Sequence, residues 1–424
     1  MVEVLMEPCS QELIAEKGCN LNNPNSVIRL ANNDSNLKEP DLTPIQSFYN
    51  GQSIFITGGT GFVGKLLIEK LLRDCPGISN MYLLVRPKKG KDVHERIEEL
   101  FDDPVFSLLK EKHPKFRHQI VAVAGDCVQP GLGMSAADRQ MVARDVSIVF
   151  HVAATVRFDE KMKLAVPINV RSPKDVIDIC KECSCLKAFV HVSTAYANCP
   201  YNLIEEKLYE PPMDADKLVT LTDCMDEKLV EEITPRLLGG WPNTYTFTKA
   251  IAESVVVKEA EDLPTGIFRP AIVISTYKEP IRGWIDNLYG PTGVAAGAGA
   301  GLLRSIHCDG AVQANVVPGD LTVNALIACA WDVANRRKSI SKDGNNFQIP
   351  IYNYVSVDNP ITYDQLKDLS ERYGLEFPSG KAIWYYSFRN NKYKIVHLFY
   401  VYFLHLLPAL LMDTAMVCMG KQPR

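Results

Sequence analysis

The sequence predicts an α/β protein: a doubly wound parallel sheet with helices on both faces, followed by a smaller C-terminal region that is helical and partly hydrophobic. Three observations predict this. From Ser53 onward, short apolar runs alternate with amphipathic stretches, the rhythm of strand, helix, strand. A glycine-rich turn joins the first of those runs directly to the first amphipathic stretch. The longest uncharged apolar run, Ile395 to Met412, stands apart from the pattern near the end of the chain.

Taken in order, residues 1 to 45 are rich in Asn, Ser, Pro and Glu and show no sustained apolar period, so a disordered or loosely packed arm is expected there. The expected strands are Ile54 to Thr57, Met81 to Val85, Ile120 to Ala124, Ser147 to Val152 and Ala188 to Ser193. Between the first two lies a helix, Phe62 to Arg73. It carries Phe62, Val63, Leu66, Leu67, Leu71 and Leu72 on one face and Lys65, Glu69, Lys70 and Arg73 on the other, the pattern of a sheet-covering helix. After Arg269 the chain turns irregular, and the alternating Gly and Ala of Gly293 to Gly301 are expected to form a loop beyond the sheet. Residues 46 to 335 are read as the main domain and 336 to 424 as the C-terminal region. Its segment 395 to 412 either spans a bilayer or lies on one, since His397, His405 and Pro408 interrupt it.

The charge balance, 46 basic against 50 acidic residues, creates no field that would draw the protein to nucleic acid, so the expected partner is a bound small molecule. Met1 to Lys17 is broken by five charged residues and is not read as a secretory signal, which makes the 12 scattered cysteines reduced thiols on the cytosolic side. Cys180, Cys183 and Cys185 cluster, but without a second pair or a histidine couple at ligand spacing they are read as core and helix surface. No metal is expected.

Thr57, Gly58, Gly59, Thr60, Gly61, Phe62, Val63 and Gly64 follow the first strand and open the helix. Glycines there let the backbone turn tightly and approach a pyrophosphate, whose charge meets the helix N-terminus. A glycine-rich turn without a ligand is the bland alternative, and the placement between strand and helix favours a Rossmann-type dinucleotide site. At the end of the second strand an NAD site needs a carboxylate for the ribose hydroxyl, whereas this chain offers Arg86, with Lys88, Lys89 and Lys91 behind it. That charge suits a 2′-phosphate, so the expected cofactor is NADPH.

Tyr245 and Lys249 stand four residues apart and so face the same way on a helix. A lysine placed so is expected to lower the phenol pKa and hold the nicotinamide ribose, while the tyrosine donates a proton to a carbonyl oxygen as hydride arrives. Upstream, Ser193 and Thr194 end an apolar strand where ligands of open α/β sheets bind, and either hydroxyl can bond the same oxygen. Thr194 is the preferred one. A tyrosine and lysine at this spacing also arise by chance on a helix surface, and the succession of glycine loop, strand-end hydroxyls and Tyr-x-x-x-Lys is what gives the pair meaning.

That succession, over roughly residues 50 to 320, resembles the extended short-chain dehydrogenase/reductases. Within them the chain resembles an insect-type fatty acyl-CoA reductase, through Ile54 to Lys65, Leu83 to Pro87, Gly125-Asp126, His151 to Ala154, His191 to Asn198, Phe268-Arg269-Pro270, Gly283 to Asn287 and Phe403 to Ala409. The resemblance implies Gly58, Gly61 and Gly64 at the pyrophosphate, Arg86 at the 2′-phosphate, Asp126 near the adenine, Ala153 near the nicotinamide half, and Tyr245, Lys249 and Thr194 as the catalytic set. It further implies a long-chain acyl-CoA substrate reduced to a primary alcohol through an aldehyde, with loss of CoA, at a cytosol-facing membrane such as the endoplasmic reticulum. Two departures stand out. Ser172-Pro173 replaces the usual Gly-Thr, where a local change near a helix start is expected. Relatives also continue for several helices past the point where this chain stops, which leaves a truncated, inactive cofactor binder as one alternative. A reductase of hydroxysteroids or nucleotide sugars on the same scaffold is the other.

Overall fold

Seven parallel strands make the central sheet: β1 (Ser53–Thr57), β2 (Asn80–Val85), β3 (Ile120–Ala124), β4 (Ile148–His151), β5 (Ala188–Val192), β6 (Thr265–Pro270) and a last strand, Ile351–Tyr354. Their spatial order is β3-β2-β1-β4-β5-β6, with Ile351–Tyr354 beyond β6. The computed structural model describes residues 42–87, 90–343 and 348–422, so residues 1–41 of the arm expected over 1–45, and Lys88 and Lys89, lie outside the described residues. Helix α1 (Pro44–Tyr49) opens within the stretch read as arm. A reciprocal Thr43–Gln46 cap starts it, and the buried Tyr49 hydroxyl donates to the Ile327 carbonyl at 2.9 Å.

Both faces of the sheet are covered, which is why its strands read as nearly continuous apolar runs. On one side Ile54, Ile56, Leu83 and Val190 pack under α2 (Phe62–Asp74) and the helix Gly319–Asp343. On the other, Phe55, Tyr82, Val149 and Phe189 pack under the helices Ser172–Glu182 and Thr244–Glu259. Ile351–Tyr354, assigned by sequence to a separate C-terminal region, completes this sheet because the helix Gly319–Asp343 crosses over and returns the chain parallel to β6. Pro173 stands two residues past the π-helical turn Pro167–Arg171, inside a continuous helical run from Met162 to Glu182 rather than at a helix start. Cys180 is buried, Cys183 partly so and Cys185 exposed.

Three sequence-based expectations are revised. The charged flank of α2 is not a solvated face: Glu69 and Arg73 are 1% and 6% exposed. Arg73 pairs with Glu69 at 2.7 Å and with Glu279 at 2.9 Å, because the segment after β6 folds back over that flank. Removing one partner of such a buried pair costs about 3–5 kcal/mol. Second, Gly290–Gly299 is helical rather than a loop. Its alanines favour the helix, and Val294 and Ala298 bury against Tyr386 and Phe388, which outweighs the glycine penalty.

The third revision concerns the tail. Lys394–Cys418 forms 25 residues of helix, with a mean hydropathy of 1.9 over its most apolar 18-residue window and no buried residue, passing through a π-helical turn at Val401–Leu406 just ahead of Pro408. Its histidines do not break it. His397 Nδ1 lies 2.8 Å from Ser305 Oγ, and His405 Nε2 accepts from the Arg304 backbone N–H at 2.9 Å, so they dock the helix on the short strand Ser305–His307.

Candidate active site

The turn from β1 into α2 is packed so closely that its glycines are sterically required. Gly58 has φ +76°, and a Cβ there would meet the Ala153 amide nitrogen at 2.6 Å. A Cβ on Gly64 would stand 2.2 Å from the Gly58 carbonyl oxygen, and one on Gly59 would press on Ile68 at 3.0 Å. Thr57 ends β1, Thr60 and Gly61 form the open tip, and Gly61 provides no side-chain cap for the first turn of α2. The free N–H groups and the positive end of the helix dipole therefore face a cradle into which a pyrophosphate fits. Phe62 and Val63 are half-buried behind it, the Phe62 ring stacking on Trp284 at 5.5 Å. Lys65, one turn into the helix, bridges Asp103 at 2.8 Å and Asp286 at 3.0 Å, tying the Gly283 to Asn287 segment to the cradle.

The other dinucleotide candidates stand at the carboxyl ends of neighbouring strands, around the crevice where the strand order reverses between β1 and β4. Arg86 follows β2 with its side chain 57% exposed, its Nε 3.9 Å from Asp126 just beyond β3. Lys91 is engaged elsewhere, with Glu99. Ala153 follows β4, and its N–H points to Thr57 Oγ1 at 3.4 Å.

Tyr245 and Lys249 lie on the helix Thr244–Glu259, which Asn243 caps by accepting from the Thr246 N–H at 2.9 Å. Tyr245 is hydrogen-bonded to Thr194; burial pushes its phenol up to about 12 against the lowering effect of that bond. Lys249 is buried, and its Nζ donates to the Val192 carbonyl at 2.7 Å. Burial brings its ammonium down to about 8, opposed by the Glu253 charge. Its ammonium is thus held on a β5 carbonyl, one helical turn from the phenol. Ser193, the alternative hydroxyl, donates its Oγ–H to Glu253 at 2.5 Å, away from Tyr245. Successive residues at a strand end point to opposite sides, so only one of the two hydroxyls can reach the phenol.

Sequence reasoning missed several groups here. Asn169, in the π-helical turn Pro167–Arg171, donates to Thr248 Oγ1 at 3.0 Å and to the Thr155 carbonyl at 3.2 Å. It thereby ties the loop after β4 to the Tyr245 helix, and on that loop the Phe158 ring stacks 6.0 Å from Tyr245. His151 and His191 stack at 5.4 Å beneath Lys249, and His151 Nδ1 lies 2.7 Å from Thr57 Oγ1. Burial, then the Lys249 charge, holds both rings neutral, His151 down to about 3. Their appearance in apolar strands was the one signal available. Among the described residues no group of three or more His, Cys, Asp or Glu could hold a metal ion.

A parallel sheet of this order, a glycine cradle at its first turn, and a tyrosine and lysine beside its switch point define a nicotinamide-dependent oxidoreductase of the extended short-chain dehydrogenase/reductase class. The family model described as "Male sterility protein" matches residues 56–326. Fatty acyl-CoA reductase wat of Drosophila melanogaster is 47% identical over 385 residues, 91% of this chain and 73% of that protein. Fatty acyl-CoA reductase 1 of Rattus norvegicus is 38% identical over 90% of this chain and 73% of its own length. The chain belongs to the fatty acyl-CoA reductase family. Among solved structures, the reductase domain of a nonribosomal peptide synthetase from Mycobacterium tuberculosis superposes with TM-score 0.57 at 21% identity, covering 85% of this chain and 76% of that one. The terminal R domain of the myxalamid PKS-NRPS pathway gives 0.56 at 21%, covering 81% and 72%. Both share the fold.

Proposed function

We propose that the protein reduces long-chain acyl-CoA to a primary alcohol with NADPH, releasing CoA and passing through an aldehyde held at the same site. The observation that carries this reading is a half-buried phenol, hydrogen-bonded to Thr194 at the end of β5 and one helical turn from the buried Lys249. Bound NADPH supplies the hydride for each of the two reductions. Tyr245 gives its proton to the thioester oxygen as negative charge builds there, and Thr194 holds that oxygen in place. The hemithioacetal so formed loses the thiol to leave an aldehyde, and the same phenol serves the second reduction. Two hydrides and two protons are taken up for one alcohol and one thiol released. Lys249 steadies the nicotinamide ribose, Ala153 flanks the nicotinamide half, Thr57 to Gly64 cradle the pyrophosphate, Asp126 lies toward the adenine and Arg86 meets the 2′-phosphate.

Purified protein incubated with palmitoyl- or stearoyl-CoA tests this reading. Mass spectrometry should find the matching alcohol and free CoA, with two NADPH consumed per alcohol and far slower turnover on NADH. Arg86→Glu should erase that preference, since each charge-assisted hydrogen bond contributes about 1.5–3 kcal/mol, roughly tenfold or more in affinity. Equal use of both cofactors by the wild type removes Arg86 from its role, and absence of alcohol removes the activity.

The helix Lys394–Cys418 supports association with a cytosol-facing organelle membrane such as the endoplasmic reticulum, its apolar side chains lying in solvent where lipid would cover them. Deleting residues 395 to 424 should move the protein from the membrane pellet to the soluble fraction. Unchanged sedimentation with membranes would assign the attachment to another surface.

A further inference from the structure

Glu253 lies one turn beyond Lys249, its side chain buried, and donors from three segments converge on its carboxylate. Ser193 Oγ reaches Oε1 at 2.5 Å, and Arg269 Nε reaches the same oxygen at 2.8 Å. Arg269 Nη2 and Asn198 Nδ2 reach Oε2 at 2.7 and 3.3 Å. Arg269, 0% exposed, spends its remaining donors on the carbonyls of Glu205 and Lys207, both at 3.1 Å. One carboxylate thus joins the Tyr245 helix, the carboxyl end of β5, the turn after it, β6 and the loop around residues 205 to 207.

We infer that Glu253 is a positioning residue, whose carboxylate, through Ser193, Asn198 and Arg269, holds residues 193 to 207 in register with the helix bearing Tyr245 and Lys249. The inference rests on the catalytic roles proposed above. The link to chemistry is short: Ser193 is the peptide neighbour of Thr194, so fixing the Ser193 hydroxyl fixes the backbone that aims the Thr194 hydroxyl at Tyr245. Burying an Arg–Glu pair is weak evidence for added stability, since apolar residues of like volume often serve as well. Here the pair meets two polar side chains and two main-chain carbonyls that apolar replacements would leave unsatisfied. The same carboxylate is the negative charge nearest Lys249. The other groups around that ammonium, His151 on β4, His191 on β5 and the Tyr245 phenol on its own helix, are neutral, and Arg269 on β6 is already paired with Glu253.

Glu253→Gln, Glu253→Asp and Ser193→Ala separate this role from a general packing role through two readouts. The first is the pH profile of kcat/KM with palmitoyl-CoA. In the wild type it should fall above about pH 8 as Lys249 loses its proton. Glu253→Gln should move that limb at least half a unit lower, and Glu253→Asp should restore it. The second is amide hydrogen exchange of residues 194 to 207, read by mass spectrometry, which Glu253→Gln should accelerate about tenfold while β1 to β4 stay protected. Should Glu253→Gln fail to fold, Ser193→Ala leaves the ion pair intact and should still raise exchange at residues 194 to 198 and lower kcat severalfold. A limb that stays in place with activity scaled down equally at every pH, or unchanged exchange over residues 194 to 207, overturns the inference. Lack of wild-type turnover on palmitoyl-CoA counts against the proposed function alone, because exchange still decides this one.

Discussion

Tyr245→Phe is expected to lower alcohol formation by roughly two to four powers of ten, the range lost with a positioned general acid or an oxyanion donor, while cofactor affinity stays near the wild-type value. The substitution removes one oxygen and keeps the ring, so the contact with Phe158 and the Asn243 cap of the helix survive. Thr194 loses a partner at the half-open site, where water can replace it. Both reductions in the proposed sequence draw on the phenol, so neither alcohol nor aldehyde should accumulate. Lys249→Ala, by contrast, should damage cofactor binding and rate together, because the proposed ribose contact and the charge beneath the site vanish at once. Near-normal turnover of acyl-CoA by Tyr245→Phe would move the proton donor to another residue or to water.

Gly58→Ala is expected to produce the second large effect, on cofactor binding. An alanine at φ +76° is strained by about 1–2 kcal/mol, and its methyl would meet the Ala153 amide nitrogen at 2.6 Å. Overpacking of this kind costs about 1–3 kcal/mol more. If the whole sum falls on the cradle, affinity for the nicotinamide cofactor drops roughly thirtyfold to a few thousandfold. Titration of intrinsic fluorescence with NADPH, alongside a thermal melt, separates loss of the cradle from loss of the fold. A variant with both wild-type Kd and wild-type Tm would show that the turn relaxes freely and that glycine is not required at position 58.

Much of the candidate site was legible because its demands are local. A glycine at positive φ, a helix opening directly after a strand, and two side chains spaced by one helical turn are written within a few residues, so Gly58 to Gly64, Tyr245 and Lys249 could be picked out by pattern. The five expected strands likewise lie within one residue of those observed at either end, since runs buried on both faces leave an unbroken apolar signature. Glu253, Asn169 and Arg269 could not be found that way. Each works through partners about 14 to 80 positions distant, and nothing in its own neighbourhood announces them.

From the sequence alone came the parallel α/β architecture, the dinucleotide cradle and the pairing of a phenol with an ammonium, because backbone sterics and helical or strand periodicity act over a few residues. The tertiary structure decided that Thr194 rather than Ser193 meets Tyr245, that Lys249 spends its ammonium on Val192, and that the charged flank of α2 is buried. It also decided that Gly290–Gly299 is a helix and that Ile351–Tyr354 joins the sheet. In each of these the outcome depends on what covers a group after the chain returns from far away, and burial, not local preference, then sets which polar atoms must be paired and which pKa values move.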